Sequence, residues 1–100
     1  MPAICTINDR DVPHCGPMKR TATQGNVYVN GKAVSREGDP NTPHLVPGGR
    51  GCVIHSAPIT NGSNSVFIGN KGVGRVGDSL TLCTAVSTGS ANVFAGPPII

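Results

Sequence analysis

Apolar residues in this chain come in short bursts that alternate with polar ones and stop at glycine, proline or asparagine. The stretch NVYVNG at 26–31 is one such burst, and NSVFIG at 64–69 repeats it. The bursts are rich in Val and Ile, which suits strands. With 14 glycines and 9 prolines in the chain, long helices are disfavoured. The pattern predicts a short strand and turn over 1–9 and a Pro/Gly-punctuated loop over 10–17. A strand over 19–30 follows, ending at Asn30-Gly31, with a return strand over 32–37. Asn-Gly between extended runs is the strongest short hairpin signal. A loop over 38–52, a strand over 53–60 and a second turn at Asn61-Gly62 come next. The burst at 64–69 is answered by 70–77, a corner lies at 78–83, and 84–96 completes the fold. The tail, Pro97-Pro98-Ile99-Ile100, is expected to be peripheral.

The bursts belong to a longer repeat. In GKAVSREGDPNTPH (31–44) and KGVGRVGDSLTLC (71–83), an Arg precedes an Asp by three residues, Arg36 to Asp39 and Arg75 to Asp78. A metal-capable side chain follows each Asp by five, His44 and Cys83. A fainter copy opens the chain, where Asp9 precedes His14 by five. Tyr28 to Asp39, Phe67 to Asp78 and Cys83 to Phe94 are each 11 residues, whereas His44 to Phe67 is 23. That longer interval contains an insertion of about 12 residues, which carries His55. The three Asp residues recur at turns, which marks them as caps for loop amides rather than catalytic carboxylates.

Composition narrows the picture. One hundred residues make a single domain, with the repeat over 2–96 and the tail at 97–100. A domain of this size buries only roughly 60–70% of its unfolded surface. Three aromatics (Tyr28, Phe67, Phe94), no Trp and few Leu leave little apolar mass, so a disulfide, a metal or a partner is expected as a staple. Net charge is +3, but the basic residues form no block and no stacking aromatics lie among them, which argues against nucleic acid. No signal peptide and no bilayer-spanning apolar run is visible, so synthesis in the cytosol is expected. In that compartment, metal binding is the expected use of at least some of Cys5, Cys15, Cys52 and Cys83.

The register makes His14, His44 and Cys83 equivalent, as if three arms met at one ion. His55 is the remaining histidine and completes a tetrahedral set of three nitrogens and one thiolate, suited to Zn²⁺. Four protein ligands leave no open position, which describes a structural ion. Cys52 rivals His55, since Cys52-x-x-His55 is itself a plausible ligand pair. Cys15 sits beside His14, and Cys5 reads as a small buried residue of the first strand. Arg36 and Arg75 either pair with nearby Asp residues or are solvated.

NVYVNGKAVSREGD and SVFIGNKGVGRVGD resemble the repeat of the PAAR-domain family, named for a Pro-Ala-Ala-Arg motif before Val-Gly-Asp. Here the motif stands as Ala33-Val34-Ser35-Arg36-Glu37-Gly38-Asp39 and Val73-Gly74-Arg75-Val76-Gly77-Asp78. The first copy, Ala3 to Asp9, lacks the Arg and has Asn8 for Gly. SNSVFIG and SANVFAG lie closer to the family pattern. The resemblance implies a mainly β fold, a small cone of hairpins with pseudo-threefold symmetry and one zinc near its apex. Carried over, the ligands are His14, His44, His55 and Cys83. It also implies a tip on the trimeric β-helical spike of a type VI secretion system or contractile phage tail. One monomer would sit on each trimer, cross the target membrane transiently, accompany effectors and be ejected. A zinc hydrolase would need an open site and a general base, and only Glu37 and four Asp are available. A small disulfide-stapled or zinc-stabilised binding module is the other alternative.

Overall fold

The computed structural model describes residues 2–13, 17–48, 51–81 and 83–95, with the backbone alone for 44–48 and 51–55. Strands β1 (Tyr28–Val29) and β2 (Lys32–Ala33) pair antiparallel, as do β5 (Phe67–Ile68) and β6 (Lys71–Gly72). Their turns are Asn30-Gly31 and Gly69-Asn70, with φ of 52° and 79° in the first and 58° and 67° in the second. Two consecutive positive φ values make the turn whose twist matches a two-residue hairpin, and Asn and Gly tolerate it best. A third hairpin has no turn. Ala3 pairs with Phe94, Ile4 N–H donates to Val93 O at 3.0 Å, and Ala95 N–H donates to Pro2 O at 3.0 Å. Two distant segments of the chain thus take the place of one loop.

The entry to each hairpin is ordered in the same way. Ser63 Oγ accepts from the N–H groups of Ser65 and Val66, and Ser90 Oγ accepts from those of Asn92 and Val93. Gln24 Oε1 does the same for Asn26 and Val27. The Ser-x-x-Val pattern is therefore a cap, and a longer amide replaces serine in the first copy.

The longest ladder joins β3 (His44–Gly48) to β4 (Gly51–His55). It lies largely inside the stretch expected to be a loop over 38–52, so that expectation is corrected. Leu45 faces Ile54 and Val46 faces Val53, an apolar β-rich pairing. Proline and glycine conceal it in the sequence, yet a two-stranded ribbon tolerates Pro47 because the missing N–H can lie on an outer edge. Nor is Asn61-Gly62 a hairpin turn. Gly62 is needed for close approach: a Cβ there would stand 2.4 Å from Gly72 O.

The centre is a closed ring. Cys5 N–H donates to Gly74 O (3.0 Å), Gly74 N–H to Ser35 O (2.8 Å) and Ser35 N–H to Cys5 O (3.1 Å). Flanking bridges join Ile4 to Arg75, Thr6 to Val34 and Arg36 to Val73, so each of the three segments pairs with both others. Successive strand residues face opposite sides. Ile4, Val34, Val73 and Ala95 cluster on one side, with Val29, Ile68 and Val93 packed against them. Cys5 belongs instead to a second cluster with Ala57, Ile59, Leu80 and Val86, which Cys83 adjoins. Beside that cluster lies a buried polar group of Arg20, Asp11, Asn41, Asp39 and Ser35. The radius of gyration, 13.0 Å, is that of an ordinary folded chain of this length. Among the described residues there is no helix, and none long and apolar enough to cross a membrane.

Candidate functional site

Each arm starts at a four-residue corner: Thr6–Asp9, Arg36–Asp39 and Arg75–Asp78. In each, the Asp N–H donates to the first residue's carbonyl, at 3.0, 2.9 and 3.0 Å. The Asp carboxylate accepts the first residue's N–H in return, at 2.8, 3.0 and 2.8 Å. The third residue has a φ of 71° at Asn8, 88° at Gly38 and 94° at Gly77. A positive φ at that position demands Gly or Asn, so the two spellings of the motif encode one turn. The corner Asp residues therefore cap amides, as their repetition suggests. The two Arg residues differ: Arg75 pairs with Asp78 at 2.9 Å, while Arg36 Nη1 donates to Ile68 O at 3.1 Å.

Beyond the corners, the segments run side by side. Asp11 pairs with Val86, and Val12 N–H donates to Ala85 O at 2.8 Å. The chain leading to position 14 thus runs antiparallel to the chain leaving Cys83. On the other side of that arm, Ile59 pairs with Leu80, and Thr81 N–H donates to Pro58 O at 3.0 Å. That segment is the continuation of β4 beyond His55. In the second arm Pro40 pairs with Pro58, but His44 pairs with His55. One strand spends an extra residue between these pairings, so the ladder bulges and His44 meets His55.

The four proposed ligands are placed unequally. His44 and His55 are directly opposite in the β3–β4 register. Cys83 is half-buried against the second apolar cluster, and its N–H donates to Leu80 O at 3.1 Å. His14 and Cys15 lie outside the described residues, as do the side chains of His44, His55 and Cys52. Among the described residues, no group of three or more His, Cys, Asp or Glu could hold a metal. Cys5 is fully buried as a thiol, and burial pushes it up to about 12 from 9.0.

Below the ends of the arms is a charged network that the sequence did not announce. Arg20 and Asp11 are buried, with Arg20 Nη1 2.9 Å from Asp11 Oδ2. Arg20 Nη2 donates to the Asp39 carbonyl, and Asn41 Nδ2 donates to the same Asp11 Oδ2 at 2.9 Å. Asn41 Oδ1 accepts the Ala57 N–H at 2.8 Å. Asp11 Oδ1 is buried and receives no hydrogen bond among the described residues.

On the opposite side of the ring are the three hairpins. Tyr28 pairs with Ala33, Phe67 with Gly72 and Phe94 with Ala3, so the aromatics occupy corresponding register positions. They are 56, 56 and 48% exposed, with Val27 and Val66 also exposed beside them. Among the described residues, five of the six exposed large apolar side chains, all but Val12, thus lie in the three hairpins. The 11-residue spacing made these residues equivalent but could not say which way they faced. Residues 51–99 match the family model of the PAAR motif. No curated protein sequence matches the chain.

Proposed function

We propose, from the premise that this chain belongs to the PAAR-motif family, that it is a structural tip for a trimeric β-helical spike. Its partner would be the blunt end of a spike from a type VI secretion system or a contractile phage tail. The observation that carries this reading is the set Tyr28, Phe67 and Phe94, three half-exposed aromatics at corresponding places in three hairpins around a closed ring. A pseudo-threefold face of this kind offers one apolar knob to each chain of a trimer, with one monomer per trimer. Apolar anchors of this size dominate interface energetics. The arms on the other side of the ring would form the leading point.

A single zinc ion would bind the arms together. The register supports this reading: positions directly opposite in an antiparallel pair have Cβ atoms about 4.5–5.5 Å apart, which suits His44 and His55 to one ion. Cys83 lies in a segment flanked by the chain that leads to His14 and the chain that leaves His55. The ion would supply a clamp, since ligand binding in such small domains is itself folding free energy. The acidic residues support a structural role rather than an enzymatic one. Asp9, Asp39 and Asp78 cap corners, Asp11 pairs with Arg20, and Glu37 Oε2 accepts the Gly62 N–H at 3.1 Å. None of the five is left poised as a general base. Such a tip would be assembled in the cytosol that makes it and ejected with its spike and effectors through a target membrane.

Mixing with a trimeric spike protein, followed by light scattering on a sizing column, tests the docking. One chain per trimer is expected, and replacing Tyr28, Phe67 and Phe94 together with Ser should abolish the complex without lowering the melting temperature. Undiminished binding by that variant would overturn the docking face. Metal analysis tests the clamp: His44→Ala and Cys83→Ser should each lower both zinc content and melting temperature. Unchanged stoichiometry in both would remove the ligand set.

A further inference from the structure

We infer that Asp11 accepts the hydrogen bond from the non-coordinating N–H of a zinc-bound imidazole, most directly the one on its own arm. The inference rests on the zinc reading above. It starts from the carboxylate oxygen that nothing satisfies. Asp11 is 2% exposed, and Arg20 Nη1 and Asn41 Nδ2 both donate to Oδ2, leaving Oδ1 buried and without a partner among the described residues. A buried carboxylate oxygen is costly to leave in that state. Arg20 balances the charge but supplies no donor to this atom.

The register of the three arms shows which donor is missing. Asp11, Asn41 and Leu80 each stand two residues after a corner Asp and three before a proposed ligand. In the third arm this relation is visible. Leu80 and Cys83 share one cluster, and Cys83 N–H donates to Leu80 O at 3.1 Å, so the residue at this place lies at the foot of the ligand. A thiolate ligand has no second donor, and an apolar Leu80 suffices beneath it. An imidazole bound through one nitrogen must place its other N–H, and a carboxylate is a common acceptor for it. The two arms that end in His carry Asp11 and Asn41 at this place, and the arm that ends in Cys carries Leu80. In the second arm, Asn41 Oδ1 already receives the Ala57 N–H at 2.8 Å. Asp11 Oδ1 is the acceptor that remains open. Such a bond would fix the tautomer and ring orientation of the histidine and raise its basicity toward the metal.

The test uses the zinc-loaded full chain, labelled with ¹⁵N and ¹³C. One imidazole N–H should exchange slowly with solvent and show scalar coupling across a hydrogen bond to the Asp11 carboxyl carbon. Asp11→Asn should lower zinc affinity about 10–100-fold in competition with a chelator. A purely structural Asp11 would lower the melting temperature of the metal-free protein and leave affinity unchanged. One zinc per chain with no such coupling, or with Asp11→Asn binding zinc as tightly as the natural chain, overturns the inference and leaves the zinc reading standing. No zinc in the natural chain overturns both. If Asp11→Asn does not fold, the coupling in the natural chain decides.

Discussion

Replacing the three corner aspartates one at a time separates a shared turn from the surroundings of each copy. All three carboxylates accept the N–H three residues back, so a turn-only account predicts equal losses on Asp→Ala. The surroundings differ. Asp39 is 1% exposed and also receives Thr23 N–H at 3.3 Å and the Thr23 hydroxyl. Removing this buried carboxylate leaves the Arg36 N–H without its acceptor and costs the Thr23 bonds, although exposed Thr23 can turn to water, for a total of about 2–4 kcal/mol. Asp78 is 7% exposed, and its further partner is the Arg75 guanidinium, which can turn to water, giving about 2 kcal/mol. Asp9 is half-buried, and water can replace it for exposed Thr88 and reach the carboxylate's place beside buried Thr6, giving about 1–1.5 kcal/mol. At about 4–8 °C per kcal/mol, Asp39→Ala should lower the melting temperature by about 10–25 °C and Asp9→Ala by about 5–10 °C. Urea unfolding at fixed metal content measures this, provided the slope with denaturant is unchanged. Three equal losses, or a largest loss at Asp9, would refute the argument from burial.

Two further outcomes follow from the ring. Gly74→Ala would set a Cβ 2.6 Å from Ile59 Cδ1, 2.7 Å from Cys5 Sγ and 3.0 Å from Ser35 O, and should cost about 1–3 kcal/mol in urea unfolding; an unchanged midpoint would mean that the ring yields. Cys5 gives a pH dependence: its folded value of about 12 exceeds the ordinary 9.0, so above pH 9 the unfolded chain loses a proton that the folded one keeps. Stability therefore falls as pH rises from 9 toward 12, by up to about 1.4 kcal/mol per unit from this group. Cys5→Ala should flatten the decline between pH 9 and 11, and a decline of the same steepness would exclude Cys5 as its source.

What could be read in the sequence was local. Asn30-Gly31 and the Gly-Asp corners announce themselves because a positive φ restricts the residue type. The Asn8 corner was harder to recognise because it lacks both the Arg and the Gly, although it closes the same turn. Most pairings in this fold are single bridges, too short to set up the two-residue alternation that marks a strand. The β3–β4 ladder was hidden for another reason, with Pro47, Gly48 and Gly51 inside it. Lys19-Arg20-Thr21 opens the strand expected over 19–30 and gives no local sign that Arg20 is fully buried, because its partners Asp11 and Asp39 lie elsewhere in the chain. The three aromatics were counted toward a thin core and lie instead at the surface.

The turnless third hairpin has a consequence for how the ring is reached and lost. Ala3 and Phe94 must find one another across nearly the whole chain, whereas Tyr28 and Ala33 meet across two turn residues. Closing a loop of ~90 residues costs about 2.6 kcal/mol more in chain entropy than closing one of ~5. The first two hairpins are therefore cheap local events, and the third draws on contacts already made around Cys5, Ser35 and Gly74. In the folded protein the same asymmetry makes this pair a natural seam, since no turn holds its two strands together once their mutual hydrogen bonds open.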